Sequence, residues 1–297
     1  MRAYSLSVSL FGPTLFKLNG RPYALGLKGS TLELLWYLVF HAGQVIRREY
    51  VAERFWHDSS EARQRSALNS AIWRIGKKLP NHPGLNLHST DTTLLITIDQ
   101  TIPVDARDLR AQVNAATSGA PMTTECAERL AIALADSDAT FMDGWDSDWT
   151  LTEREHISNI RIRGMIALMH WHGDNRNYEE ALQIGRRLLS EDPFRETVQI
   201  DMMWLYVLNG QRAQALRQYS AFTEMLREEL AIEPMLETRA LFEHIRDGLD
   251  NRIDRCADNA VSSPSIAQGA SGKLALILDA VEQSRRELYQ TLREQLG

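Results

Sequence analysis

Between Ser59 and Leu79 the chain reads SSEARQRSALNSAIWRIGKKL, and as a helix this stretch has two different faces. Leu68, Ala71, Ile72, Ile75 and Leu79 recur at helical spacing and form one apolar stripe. Arg63, Ser66, Ser70, Trp73, Arg74 and Lys77 stand opposite, with Asn69 at the edge, and no carboxylate follows Glu61. Cations, small hydroxyls, an amide and an aromatic are the groups that contact phosphates and base edges in a major groove. Arg63 and Arg74 suit guanine edges or phosphates, while Lys77 and Lys78, near the helix end, suit phosphates. Asn69 and Ser70 fit a base edge or a phosphate, or plain solvent exposure. Trp73 fits a thymine methyl or a sugar, or partial burial against a neighbouring hairpin. Arg47 and Arg48 open the preceding helix, where backbone N–H groups and cations together favour a phosphate. The competing reading is a solvated basic helix, and the surrounding elements decide between the two.

Those elements are short strands, three helices and a hairpin. Leu6, Val8 and Leu10 alternate with serines; Gly12-Pro13 turns the chain; Thr14–Leu18 runs extended; Asn19-Gly20 is a hairpin turn; Arg21–Leu25 returns. Ser30 to about Ala42 is a mostly buried helix ended by Gly43, and Arg47–Trp56 is a second with Val51, Ala52 and Phe55 inward. The two-faced helix is the third, broken by Pro80–Pro83. Leu85–His88 and Leu94–Ile98 are strands around Ser89-Thr90-Asp91-Thr92. A third helix followed by a β-hairpin is the order of a winged helix-turn-helix, in which the helix enters the groove and the hairpin grips the flanking backbone.

Charge is distributed to match. Residues 1–100 hold 12 Lys and Arg against 7 Asp and Glu, a net of +5, whereas residues 101–297 hold 21 against 32, a net of −11. A basic front and an acidic rear fit a DNA-binding domain joined to a part that should stay off DNA. With 44% hydrophobic and 24% charged residues the 297-residue chain has the composition of a soluble globular protein of two or three domains. Cys126 and Cys256 lie 130 positions apart and outside any metal-ligand spacing, which fits free thiols in a reducing cytoplasm. The N-terminus lacks the continuous apolar run of a signal peptide, and no window approaches about 18 uninterrupted apolar residues, so no membrane partner is expected.

Residues 99–125 read as a connector, with a helix starting near Val104-Asp105 and Asp108–Val113 and a small, polar loop or hinge over Ala115–Thr124. From about Glu125 to Asp250 the pattern is helical. Tyr178–Leu182 and Arg212–Leu216 resemble one another; their Ala-Leu pairs are 34 residues apart, the tetratricopeptide period, with Gly173 and Gly210 ahead of them and Pro193 closing the first unit. Residues 251–272 read as a linker. Lys273–Leu296 carries an apolar stripe of Leu274, Ile277, Leu278, Val281, Leu288 and Leu292, which must fold back on the chain or form a homodimer. The expected fold is mainly α. It comprises an N-terminal α+β winged helix-turn-helix domain (1–100), an all-α tetratricopeptide-like domain (101–250), a linker (251–272) and a C-terminal amphipathic helix (273–297).

Residues about 5–100 resemble the OmpR/PhoB-type winged helix in the version found in SARP regulators. Phe55-Trp56, the run Arg63 to Ile72 and Gly76-Lys77-Lys78-Leu79 carry the likeness. Residues about 105–247 resemble the bacterial transcriptional activator domain, through Phe141–Trp145, Asp148-Trp149, Glu153-Arg154-Glu155, Tyr178–Leu182, Asp192-Pro193, Gly210–Tyr219, Glu228–Leu230, Glu233-Pro234 and Glu237–Arg239. The resemblance implies a bacterial, cytoplasmic and nucleoid-associated transcription factor. Such a factor binds double-stranded DNA at direct repeats near promoters and recruits RNA polymerase holoenzyme. The wing tip departs from the pattern: His88 to Thr92 contain no Arg or Lys, so the minor-groove Arg of related wings has no counterpart there. Trp73 stands where a smaller or polar residue is usual.

Chemistry of other kinds finds no constellation. Counting from Asp143, a calcium loop would need Gly at the sixth place and Glu at the twelfth, but Asp148 and Arg154 stand there. His170 and His172 fall on different helix faces. No catalytic residue, metal site or cofactor is expected, and no P-loop is present. Glu153-Arg154-Glu155 and Glu228-Glu229 read as solvated faces. The alternative function is a tetratricopeptide-like peptide-binding adaptor with only accessory DNA binding.

Overall fold

The computed structural model describes residues 5–247, which excludes the expected linker 251–272 and helix 273–297. The described residues divide into two compact units, 5–164 and 165–247.

The first unit opens with a three-stranded antiparallel sheet of β1 (Leu6–Ser9), β2 (Leu15–Leu18) and β3 (Arg21–Tyr23). Leu6 and Val8 are buried while Ser7 and Ser9 are half-buried, the period-two pattern of a strand with one face on the core. Asn19 and Gly20 both take positive φ, 50° and 77°, as a type I′ hairpin turn requires. Helix α1 (Gly29–Phe40) buries nearly its whole circumference, with Phe16 stacked on its Trp36 at 5.3 Å between ring centroids. Then come β4 (Ile46–Arg47), α2 (Arg48–Trp56), α3 (Glu61–Lys78), β5 (Leu85–Ser89) and β6 (Thr93–Ile98). The second sheet has the order β4-β6-β5, antiparallel throughout, with Ile46 facing Leu94 and Ser89 facing Leu94 from the other side. The expected second helix therefore starts one residue later than read. Arg47 belongs to a two-residue strand, too short to show a period of its own.

Residues 99–125 are packed rather than connecting. Val104 bridges Val8 in parallel, and the Val8 N–H donates to Pro103 O at 2.9 Å. The Asp105 carboxylate opens α4 (Asp105–Ala116) and accepts from the Leu10 N–H at 2.9 Å, the Phe11 N–H at 3.2 Å and Ser9 Oγ at 3.0 Å. One acidic side chain thus satisfies the Leu10 and Phe11 N–H groups just past the end of β1. Burial pushes its pKa up, against the hydrogen bonds that favour the ionised form. The expected loop over residues 115–124 is present but short, joining α4 to α5 (Thr124–Asp136) inside the same unit.

The segment before α6 (Asp148–Asp174) is bound by one side chain. Arg154 donates from Nε to Phe141 O at 3.0 Å and from Nη2 to Met142 O at 3.1 Å and Trp145 O at 2.8 Å. Met142 and Gly144 take positive φ there, so the turn needs an external clamp. It is pinned on its other side by Met142 N–H to Leu10 O and Gly12 N–H to Thr140 O, both 2.8 Å. Glu153, read from sequence as solvated, is instead half-buried and pairs with Arg110 at 3.4 Å. The Arg110 guanidinium lies 4.3 Å from the Phe40 ring centroid, and Trp149 Nε1 donates to Glu33 of α1 at 2.9 Å. This layer covers part of α1, which also packs against α3 and β6.

His41, just after α1, is affected by that layer. Burial first, then the Arg110 and Arg54 cations, lower its pKa from 6.5 to about 4. The folded unit holds a neutral imidazole that the unfolded chain would protonate. Stability is therefore complete above about pH 6.5 and is lost as pH falls from there towards 4. Urea midpoints between pH 7 and 5 should fall less steeply for His41→Asn than for wild type. Equal slopes would contradict this origin of the acid sensitivity.

The second unit continues from Met165 of α6 through α7 (Tyr178–Glu191), α8 (Glu196–Leu208), α9 (Arg212–Leu230) and a helical stretch over 236–247. The 34-residue repeat is visible in its turns. Arg176 (φ 63°) follows α6 and Gly210 (φ 72°) follows α8, each in the left-handed conformation. Each turn has the same two bonds: Arg176 N–H to Gly173 O and Asn177 N–H to His172 O, then Gly210 N–H to Val207 O and Gln211 N–H to Tyr206 O. These are Schellman caps. The counterpart of Gly210 is therefore Arg176, not Gly173. Gly173 is instead a contact residue: a Cβ there would lie 3.1 Å from Leu205 Cδ2. Ala181 and Ala215, also 34 apart, are both fully buried.

Gly185 is the tightest point of α7 against α8. A Cβ would lie 2.1 Å from Met202 Sδ and 3.3 Å from Met169 Sδ. Gly185→Val should destabilise the protein by about 2 kcal/mol through overpacking, read as a lower urea midpoint at unchanged helix content in water. An unchanged midpoint would mean Met202 moves aside freely.

Candidate nucleic-acid interface

The candidate surface is built on α3. Leu68, Ala71 and Ile75 are buried, which fixes the rotation of the helix, and Ile72 and Leu79 are half-buried beside them. The start of the helix is held by Gln64, whose N–H reaches Ser60 O at 2.9 Å and whose Nε2 reaches Ser59 O at 2.9 Å. With that rotation, Arg63, Ser66, Asn69, Ser70, Trp73, Arg74, Lys77 and Lys78 are all exposed, as the sequence reading expected. Among the described residues, Arg63, Arg74 and Lys78 have no ion-pair or hydrogen-bond partner. Arg65 is neutralised by Glu61 at 2.9 Å, across one turn. Three cations on or beside one face are therefore uncompensated within the fold.

Trp73 is not buried against the hairpin. It is 62% exposed, and Lys77 Nζ sits 4.0 Å from its ring centroid. The contact costs little solvation of the ammonium and orders two side chains in the middle of the exposed face.

The wing is the β5–β6 hairpin. Its turn is closed by Thr90, whose Oγ1 accepts from the Thr93 N–H at 3.0 Å and lies 2.8 Å from Thr93 Oγ1. No cation comes from the tip itself. One arrives from α2: Arg48 Nη1 donates to Ser89 Oγ at 2.6 Å and Thr90 O at 3.3 Å, and Nη2 donates to Asn69 Oδ1 of α3. The Arg48 N–H also donates to Thr92 O at 2.9 Å. Arg48, expected as a phosphate ligand at a helix start, ties the wing to α3. Arg47 is exposed on β4, paired with Thr93, outside the helix where it was expected.

The remaining polar residues offer no competing site. Among the described residues no three His, Cys, Asp or Glu side chains gather as metal ligands. No described helix is long and apolar enough to cross a membrane. His170 pairs with Asp201 at 2.8 Å, away from His172.

Residues 104–246 match the model of the bacterial transcriptional activator domain. The chain carries that activator domain. A winged helix followed by that domain is the order that the resemblance to SARP regulators implies. No curated protein compared with the chain matches it. Among solved structures it is similar to Mycobacterium tuberculosis EmbR, in a complex with a low-affinity phosphopeptide, at a TM-score of 0.69 and 17% identity over 97% of this chain and 72% of that one. At that identity the likeness is one of fold.

Proposed function

We propose that the chain is a SARP-type transcriptional regulator, a sequence-specific activator that binds direct repeats upstream of promoters. In this reading α3 lies in the major groove, and the β5–β6 wing, with Arg48 at its base, meets the flanking backbone. Arg63, Arg74 and Lys77 contact guanine edges or phosphates, Lys78 and Arg47 contact phosphates, and Ser66, Asn69, Ser70 and Trp73 face the bases or sugars. The functional division falls at residue 100. Residues 101–250 position the protein on DNA and recruit RNA polymerase holoenzyme. The expected setting is the bacterial cytoplasm, at the nucleoid. Homodimer formation through residues 273–297 would match two subunits to two repeats; that segment lies outside the described residues.

The observation that carries the reading is the exposed face of α3, where cations without acidic partners stand beside a wing tied to the same helix. Selection of bound duplexes from a random pool tests it with the full chain. A tandemly repeated motif is the expected outcome. Recovery of unselected sequences would overturn the reading in favour of a peptide-binding adaptor.

A further inference from the structure

The bond between Arg48 and Asn69 decides what Asn69 can read. A guanidinium only donates hydrogen bonds, so the amide atom facing it must be the oxygen. That oxygen is Asn69 Oδ1, and it meets Arg48 Nη2. Arg48 cannot turn away easily, because Nη1 is held by Ser89 Oγ and Thr90 O and its own N–H by Thr92 O. Asn69 is exposed on the face of α3, and its Nδ2 group has no hydrogen-bond partner among the described residues. The amide is therefore oriented, with its acceptor engaged by a cation and its two N–H donors unused.

An asparagine reads adenine bidentately by accepting from N6 and donating to N7. That mode needs a free Oδ1. Here an adenine amino group would approach an oxygen already holding a guanidinium, donor against donor. Guanine presents O6 and N7 to the same groove, both acceptors, and thymine presents O4. The cation next to the amide favours those acceptors further.

Building on the DNA-reading role of α3 proposed above, we infer that Asn69, locked by Arg48, is a donor-only reader. It selects guanine, and thymine second, at one base pair of the site and rejects adenine there. Arg48 is the positioning residue, acting through Asn69 rather than on the base. The wing and the recognition helix are thereby coupled, because the residue that sets the amide orientation is held by the wing.

The test is selection from a random duplex pool with the full chain and three variants, each checked for wild-type melting. Wild type should show one position favouring guanine or thymine that Asn69→Ala flattens by about tenfold while leaving the others. Asn69→Asp keeps an acceptor for Arg48 but removes both donors, so it should lose the same preference. Arg48→Met frees the amide to turn and should admit adenine at that position alone. If Arg48→Met fails to melt as wild type does, the two Asn69 variants carry the test. A position flattened by Asn69→Ala that is adenine in the wild-type motif overturns the inference, as does a motif in which no position responds. An unchanged guanine preference in a folded Arg48→Met overturns the positioning role. Absence of any wild-type motif overturns the DNA-reading function itself, and that result is distinct from the others.

Discussion

Replacing Arg63, Arg74 and Lys77 together by alanine is expected to lower the affinity for duplex DNA by about a hundredfold or more at fixed salt. The slope of log affinity against log salt should also flatten by about 0.9 for each phosphate no longer neutralised. The size of the effect follows from the structure. Arg63 and Arg74 have no acidic partner among the described residues, so their whole charge is open to a phosphate or a base edge. Lys77 is held 4.0 Å from the Trp73 ring centroid and loses little freedom on binding. Arg65→Ala is the contrast: its charge is paired with Glu61, so a loss of severalfold at most is expected. All four residues are exposed, and melting temperatures should move little. A triple variant that binds as tightly and with the same salt slope as wild type would place the DNA surface elsewhere.

The second large effect concerns stability. Arg154→Met should destabilise the first unit by about 3 kcal/mol, lowering its melting temperature by about 10 °C. Three carbonyl groups, on Phe141, Met142 and Trp145, lose their donors together, and the first two residues are buried. The unpaired groups cannot rehydrate without opening the turn at the left-handed Met142 and Gly144. Arg129→Met removes an exposed pair with Glu125 and should change stability by less than about 0.5 kcal/mol. Thermal melts of the two variants beside wild type separate the cases. Equal melting for all three would show the Arg154 bonds to be exchanged for water at no cost.

Elements that repeat a pattern along their own length are readable from the sequence. The stripe of α3, the alternation of β1, the Asn19-Gly20 turn and the hairpin of β5 and β6 each show it within a dozen residues. The exposed face of α3 follows, because burying Leu68, Ala71 and Ile75 leaves only one rotation. Groups whose partners are backbone atoms leave no such trace. Asp105 reaches residues 94 and 95 positions away, and Arg154 holds a turn 9 to 13 positions away, so both read as ordinary surface charges. Sequence places Arg48 at the start of α2 but not its bonds to Ser89, Thr90 and Asn69, since nothing in residues 47–48 shows that the wing turn folds back onto them. The repeat in the second unit has the expected period but a different left-handed residue. Residue type points to Gly173, whereas Arg176 occupies that position.

That α3 reads a DNA sequence is tested most directly by the affinity of the full chain for its selected duplex against a scrambled duplex of the same composition, at one physiological salt concentration. The expected ratio is about a thousand or more for wild type, falling steeply in Arg63→Ala/Arg74→Ala/Lys77→Ala. A wild-type ratio near one would contradict the claim.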